Sequence, residues 1–273
     1  MHDELGSRLK RNYENASKTF LTRRMPVIIR IDGKAFHTFT RGLKKPFDGI
    51  LSDAMQKTME YLCKNIQGCV FGYTQSDEIS LLLVDYKNLN TDAWFNYSVQ
   101  KCASVASSMA TMSFNKAFAD NVEKWLDEYY MRAWNADEND DKYAETLKKA
   151  LENGAMFDAR IFNIPKEEVV NYFIWRQNDC GRNCVQSVAQ SMLSKSEIFH
   201  KSCSELIDII GDKFEYQPWQ MLGTSMLKEF SGSTPTSVCV DGISGMANRV
   251  SQWNFRCFNF KENRSVIERT FLA

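Results

Sequence analysis

An α+β fold on a β-α-β-β-α-β core is what this sequence predicts, and three observations carry that expectation. A short, almost wholly apolar run, Val27-Ile28-Ile29-Arg30-Ile31, stops abruptly at Asp32-Gly33. Two further apolar runs, ending at Tyr73 and starting at Ile79, flank a tight polar turn around Gln75-Ser76-Asp77-Glu78, the pattern of a hairpin. Residues 49–67, 92–119 and 166–193 repeat apolar positions at helical spacing.

The bulk numbers agree. A chain of 273 residues fits one large domain or a domain with an appended part, and 44% hydrophobic residues exclude global disorder. Thirty-four basic residues balance 34 acidic ones, which speaks against a surface coated in positive charge for nonspecific nucleic-acid binding but leaves room for a local basic groove. The eight cysteines contain no C-x-x-C pair, so reduced intracellular thiols are expected rather than a disulfide scaffold. A zinc site at Cys180 and Cys184 would need two distant partners and is disfavoured. No apolar run approaches the roughly 18 residues of a membrane span. The N-terminal stretch MHDELGSRLKRNYE lacks the apolar centre of a secretory signal. A soluble, cytoplasmic protein without membrane contact is the expectation.

Residues 3–24 are expected to form a helix whose cations, Arg8, Lys10, Arg11, Lys18, Arg23 and Arg24, make either a solvated face or a phosphate-contacting arm. Pro26 opens the first strand at an edge position, and the apolar run suits a central strand buried on both faces. Arg30 interrupts that run and needs a partner. Lys34, Arg41, Lys44 and Lys45 follow closely on the strand end. Ile50, Ala54, Met55, Met59, Leu62 and Ile66 mark a helix that Gly68 ends. The hairpin then closes a β-α-β-β unit.

The small residues of 92–119 suit close helix packing, and the acidic positions of 120–145 are expected to be solvated helix ends and a loop, with Asn139–Lys142 at its tip. Residues 155–162 alternate as a further strand, and Pro165 opens the helix 166–193, with a break expected at Gly181. A short helix is expected at 203–211 and a turn at Trp219–Thr224. The last forty residues, with Gly232, Gly242 and Gly245, suggest loops and short strands.

Two carboxylate positions stand out, Asp32 at a strand end and Asp77-Glu78 at the hairpin tip. Each alone is a common turn. Together, in strand–helix–hairpin order, they suggest facing carboxylates if the first and second strands are neighbours. Like charges that close repel unless cations bind between them. Oxygen ligands of this kind suit Mg²⁺, which takes substrate phosphates as its remaining ligands. Lys34, Arg41, Lys44 and Lys45 would supply cations for a triphosphate. His37 is more often a loop histidine than a base.

The set Arg30–His37, Lys45-Pro46, Tyr73–Glu78 and Tyr172–Cys180, in this order, resembles the tRNA-histidine guanylyltransferase superfamily over about residues 25–225. The resemblance implies a polymerase-type palm that adds nucleotides in the 3′-to-5′ direction to the 5′ end of tRNA. It implies two Mg²⁺ ions held by Asp32 and Asp77 with the Gly33 carbonyl, Glu78 beside them as a catalytic residue, and ATP and GTP as substrates. Lys34, Ala35, Phe36, His37, Lys45 and Ser76 match nucleotide-contacting positions, although Ala35 stands where the family usually has a polar residue. Arg23, Arg24, Arg176, Arg182 and Asn183 are the expected tRNA contacts. The expected division is a palm over 1–195 with an extension over 196–273, and the expected assembly a tetramer built from dimers.

One departure bears on substrate. Eukaryotic members follow Trp-Arg-Gln with H-I-N-N-L-Y-N, whereas residues 181–187 here run Gly-Arg-Asn-Cys-Val-Gln-Ser, keeping only Asn183. This is similar to the guanylyltransferase-like branch, which repairs 5′-truncated tRNAs by copying the opposite strand of the acceptor stem. Templated 3′-to-5′ repair is the leading expectation. The alternatives are single, non-templated G addition, a non-catalytic RNA-binding palm and, more weakly, a palm-type cyclase.

Overall fold

A computed structural model of the chain describes residues 3–131, 138–231, 238–240, 243–245 and 250–272. Helix α1 spans Glu4–Leu9 and runs on through tighter and wider turns to Ser17, so the basic helix expected over 3–24 is shorter. Strand β1 (Val27–Gly33) leads through the one-turn helix α2 (Phe36–Phe39) to α3 (Gly49–Asn65). The hairpin follows as β2 (Cys69–Gln75) and β3 (Glu78–Leu83). Helices α4 (Val99–Met131) and α5 (Glu138–Asn153) precede β4 (Phe157–Asn163) and α6 (Lys166–Met192). Then come α7 (Lys195–Ile198), α8 (Cys203–Ile210), α9 (Pro218–Leu222), β5 (Thr224–Ser231), β6 (Val238–Val240), β7 (Ile243–Gly245), β8 (Val250–Arg256) and α10 (Arg264–Leu272).

The main sheet has six strands in the order β4-β1-β3-β2-β5-β8, with antiparallel pairing between all neighbours. Its first four strands have the β-α-β-β-α-β order that the sequence predicts. The neighbour of β1 inside the hairpin is β3, not β2, which corrects the expected pairing of the first and second strands. The C-terminal segment contributes β5 and β8 to the same sheet; of these only β8 falls in the last forty residues, where loops and short strands were expected.

Period-two alternation sorts β1 into two faces. Val27, Ile29 and Ile31 join Ile79, Leu81 and Leu83 of β3 in a core covered by α3, α4 and α5. Ile28, Leu82, Phe71 and Tyr73 point the other way, against Val169, Val170 and Phe173 of α6 and Ile267 and Phe271 of α10. The layers are helices, sheet, helices. On the α6 face the sheet turns polar toward one end, where Arg30, Asp32, Glu78 and Ser80 stand together.

Four sequence-based expectations along the chain shift. Helix α4 runs through to Met131 because buried Phe114, Phe118 and Val122 extend its apolar stripe beneath the acidic positions. Asn139–Lys142, the expected loop tip, begins α5, while Asp137 lies outside the described residues, as do Gly232 and Gly242. Helix α6 passes unbroken through Gly181, which packs beside the Met221 carbonyl of α9. The expected turn at 219–224 is α9 followed by the start of β5. Among the described residues no helix is long and apolar enough to cross a membrane.

Candidate active site

Strand β1 ends at the site. Asp32 stands opposite Glu78 on one side and Asp158 on the other. The Gly33 amide donates to the Asp77 carbonyl at 3.1 Å and the Lys34 amide to the Met156 carbonyl at 2.8 Å, so the strand end is tied to both neighbours. A Cβ on Gly33 would fall 2.2 Å from the Phe36 ring, so this position requires glycine. Phe36 itself is core, packed at ring-centroid distances of 5.1–5.6 Å against Phe39, Phe114 and Phe157. It anchors a loop whose Lys34, Ala35 and His37 side chains are exposed; Ala35 takes a left-handed backbone. The Phe36 ring therefore has a structural place instead of the expected nucleotide contact.

Glu78 is 3% exposed and fully engaged. Arg176 of α6 grips it with two hydrogen bonds, Nε to Oε1 and Nη2 to Oε2, both 2.7 Å. The Arg30 Nε lies 2.9 Å from Oε2 as an ion pair, without the alignment of a hydrogen bond. Burial pushes the Glu78 carboxyl above its ordinary range, and the two guanidinium groups pull it back. Arg176 continues to Asp179 at 2.8 Å, which in turn pairs with Arg182 at 2.5 Å. Ser80 donates to Glu78 at 3.3 Å and shares a 2.8 Å hydrogen bond with the Tyr172 hydroxyl. The sequence expectation of Arg176 as an RNA contact is corrected here: the residue is 4% exposed and serves Glu78.

Asp32 and Asp77 are the carboxylates left over. Asp32 is approached loosely, by Arg30 at 3.8 Å and Arg160 at 3.9 Å. The Asp77 carboxyl is held above its ordinary value chiefly by burial, with the Asp32 charge adding to the effect. A buried carboxylate whose ionisation is opposed by a neighbouring carboxylate at a strand end forms, with that neighbour, a natural seat for a divalent cation. Among the described residues no group of three or more His, Cys, Asp or Glu gathers as a metal cluster. A pair fits Mg²⁺, which keeps water and phosphate oxygens as its other ligands.

Beside the hairpin tip opens a cleft of about 260 Å³. One wall is the segment from Lys45 to Asp48, the opposite wall the α6 residues Cys180, Asn183, Cys184 and Ser187, and Ser76 stands at the carboxylate end. Buried Asp48 fixes the first wall: its carboxylate accepts from the Leu51 amide, the Lys44 amide and, at 2.6 Å, the Tyr143 hydroxyl. Phe47 meets Trp219 edge-on at 5.5 Å, which sets an aromatic rim. Burial pushes the Cys180 thiol up to about 11, so the α6 wall is neutral.

Against this geometry, the family model described as tRNAHis guanylyltransferase matches residues 7–165. The chain belongs to that family. Its members are nucleotidyltransferases, and this chain is one. It is similar, at 33% identity and a TM-score of 0.76, to a bacterial tRNA(His) guanylyltransferase-like protein solved in complex with ATP, over 99% of this chain and all of that one. A structure of a bacterial guanylyltransferase-like protein in complex with GTP matches at 35% identity, a TM-score of 0.73 and the same coverage. An uncharacterised protein of Acanthamoeba polyphaga mimivirus is 29% identical over 96% of this chain and 86% of its own length. The probable tRNA(His) guanylyltransferase of Mus musculus is 26% identical over 58% of this chain, a match that spans only 44% of the mouse protein.

Within this member of the guanylyltransferase family, Asp32, Gly33, Asp77 and Glu78 come together, with Ser76 and Lys45 on the adjoining cleft. Arg23 does not join them. It pairs with buried Asp85 at 2.6 Å, at the opposite end of the sheet, and Arg24 stands exposed beside it. Arg182 is exposed but tied to Asp179, and Asn183 lines the cleft. Phe47, Asp48, Trp219 and the two α6 cysteines were missed. Only the i, i+4 spacing of Cys180 and Cys184 on one helix face hinted at a shared wall.

Proposed function

We propose that this nucleotidyltransferase adds nucleotides in the 3′-to-5′ direction to the 5′ end of truncated tRNA, choosing each by pairing with the opposite strand of the acceptor stem. The observation that carries this reading is the loosely compensated carboxylate pair Asp32–Asp77, next to Ser76, which lines the cleft. In this proposal Mg²⁺ is held by Asp32 and Asp77 with the Gly33 carbonyl. There it would draw charge from the transferring phosphate and lower the pKa of an attacking hydroxyl.

The chain's own residues supply the rest. Glu78, fixed by Arg176 and Arg30, holds the hairpin turn so that Asp77 faces Asp32. It is a positioning residue, not a ligand. Lys45 on the cleft and the exposed Lys34 offer point charges to a triphosphate, and the Ser76 hydroxyl and the exposed His37 offer donors. Phe47 and Trp219 present an aromatic edge to a base. In the activation step a 5′-monophosphate oxygen of the RNA attacks the α-phosphorus of ATP and pyrophosphate leaves. In the transfer step the 3′-hydroxyl of the incoming nucleotide loses its proton and attacks the activated 5′-phosphorus, and AMP leaves. A 5′-triphosphate end releases pyrophosphate instead and needs no activation.

Support for templating comes from the α6 wall. Cys180, Asn183, Cys184 and Ser187 are small and uncharged, so pairing with RNA, not the wall, can select the base. The bacterial relatives solved in complex with ATP and with GTP support nucleotide use by this chain. A tetramer built from dimers is part of the proposal, and light scattering tests it. Incubation of the protein with a 5′-truncated tRNA and each nucleoside triphosphate in turn tests the reading. Addition of whichever base complements the template is expected; G whatever the template overturns templating in favour of single G addition.

A further inference from the structure

At the end of the sheet away from the carboxylates, where β2 begins and β3 ends, lies a second cleft of about 900 Å³. Six residue steps along β2 lead from Cys69 to Gln75, so the two clefts stand about 20 Å apart at roughly 3.4 Å per step. The floor is apolar, made by Val70, Leu227 and Phe258, and the rim carries Lys87, Lys228, Arg256 and Arg269 with a single carboxylate, Glu229.

That carboxylate is taken. Arg256 binds Glu229 with Nε 2.9 Å from Oε1 and a second, shorter contact from Nη2. Among the described residues no carboxylate forms an ion pair with Lys87, Lys228 or Arg269. The Lys228 ammonium sits 5.1 Å from the Trp253 ring centroid, and Arg269 donates only its Nε, to the Ser265 carbonyl. Lys228 lies near enough to Lys87 to oppose its charge, in addition to the effect of burial. Lys87 and Lys228 thus oppose each other beside one apolar-floored cleft that Arg269 also lines. Such crowding is unfavourable until an anion arrives, and an anion with an apolar face fills both halves of the cleft.

The positive line extends further. Arg24 is exposed there, next to Arg23, which is itself matched by Asp85 and donates to the carbonyl of Thr91 on the cleft lining. A line of cations suits a polymer better than one compact group. We infer that this cleft binds phosphate esters, in the form of backbone phosphates of an RNA that reaches past the carboxylate end. The inference deepens the proposed function and rests on its RNA substrate. Phosphates would meet Lys87, Lys228 and Arg269, and a ribose or base would cover the apolar floor.

The experiment uses the full chain carrying Lys87→Glu and Lys228→Glu together, with Lys87→Gln/Lys228→Gln as a milder pair should the first fail to fold. Binding of a fluorescently labelled tRNA transcript is measured by anisotropy over a range of salt, and ATP binding is measured in parallel. About a tenfold or greater loss of RNA affinity is expected. The slope of log affinity against log salt should flatten by about one for each phosphate contact removed. ATP binding and melting temperature should hold. Unchanged RNA affinity and slope in a folded variant overturn the inference. Weakened ATP binding with unchanged RNA binding assigns the cleft to free nucleotides and overturns the RNA form. If the wild type transfers no nucleotide while RNA binding still depends on Lys87 and Lys228, the proposed activity fails and this site stands.

Discussion

At the end of the sheet where β1 meets the hairpin turn, Glu78 is gripped by two arginines while Asp32 and Asp77 are left short of cations. At the other end the signs are exchanged: Asp85 is matched by Arg23, and Lys87 and Lys228 are left short of anions. Among these buried and cleft-lining groups of the described residues, the unmatched carboxylates and the unmatched lysines thus lie at opposite ends of the sheet. The matched charges hold backbone in place, and the unmatched ones await ligands. Net charge alone conceals this difference, because it sums over both ends.

The largest expected way to break the contrast is at Asp77. Asp77→Ala should fold and bind RNA but lose roughly a thousandfold or more in nucleotide transfer, about 4 kcal/mol of barrier. Single-turnover assays with a 5′-triphosphorylated RNA would read it, and near-normal rates would remove Asp77 from the chemistry. Next comes the matched partner. Arg176→Met strips a buried carboxylate of its main counter-ion and should destabilise the fold on the order of 3–5 kcal/mol in urea unfolding. Arg182→Ala, on an exposed pair of the same ladder, should cost under about 1 kcal/mol. If both cost the same, burial does not distinguish them.

Smaller effects sharpen the comparison. Mg²⁺ at ten times its dissociation constant should stabilise the wild type by about 1.4 kcal/mol, a few degrees of melting temperature, and leave Asp77→Asn almost unmoved. An equal shift in both would place the cation elsewhere. The smallest concerns acid. Burial raises the Asp77 carboxyl above 3.8, so the folded chain keeps this proton at a pH where the unfolded chain has lost it. That contribution to stability is full below 3.8 and fades as pH rises through the folded value. Wild type should thus lose stability relative to Asp77→Asn as acid is titrated away, a trend that parallel melting curves would reveal or refute.

Much of this was legible in the chain. Alternation located β1, the hairpin and β4, and helical spacing located α3 and most of α6, because each buries a continuous apolar face. Arg30 inside an apolar strand announced that it needed a partner. The partner's source was not legible: Arg176 comes from 98 residues beyond Glu78, and periodicity carries no such long-range information. Strands β5 and β8 were hidden because their polar residues, Lys228 and Glu229 in β5 and Ser251, Gln252 and Asn254 in β8, break up the apolar pattern. The cleft walls at Phe47, Asp48 and Trp219 arise from one loop and one short helix brought together by the fold.

Helix α6 is a rigid rod about 40 Å long, 27 residues at roughly 1.5 Å each. Its first turns are wedged under the sheet by Val169, Val170 and Phe173, its middle clasps Glu78 through Arg176, and its later turns present Asn183 and Ser187 to the cleft. No hinge separates the clasp from the wall, since the helix is continuous through Gly181. A base that pushes on the wall therefore tugs on the turn bearing Asp77. Seating a nucleotide and aligning the carboxylates become a single mechanical event, transmitted along one lever.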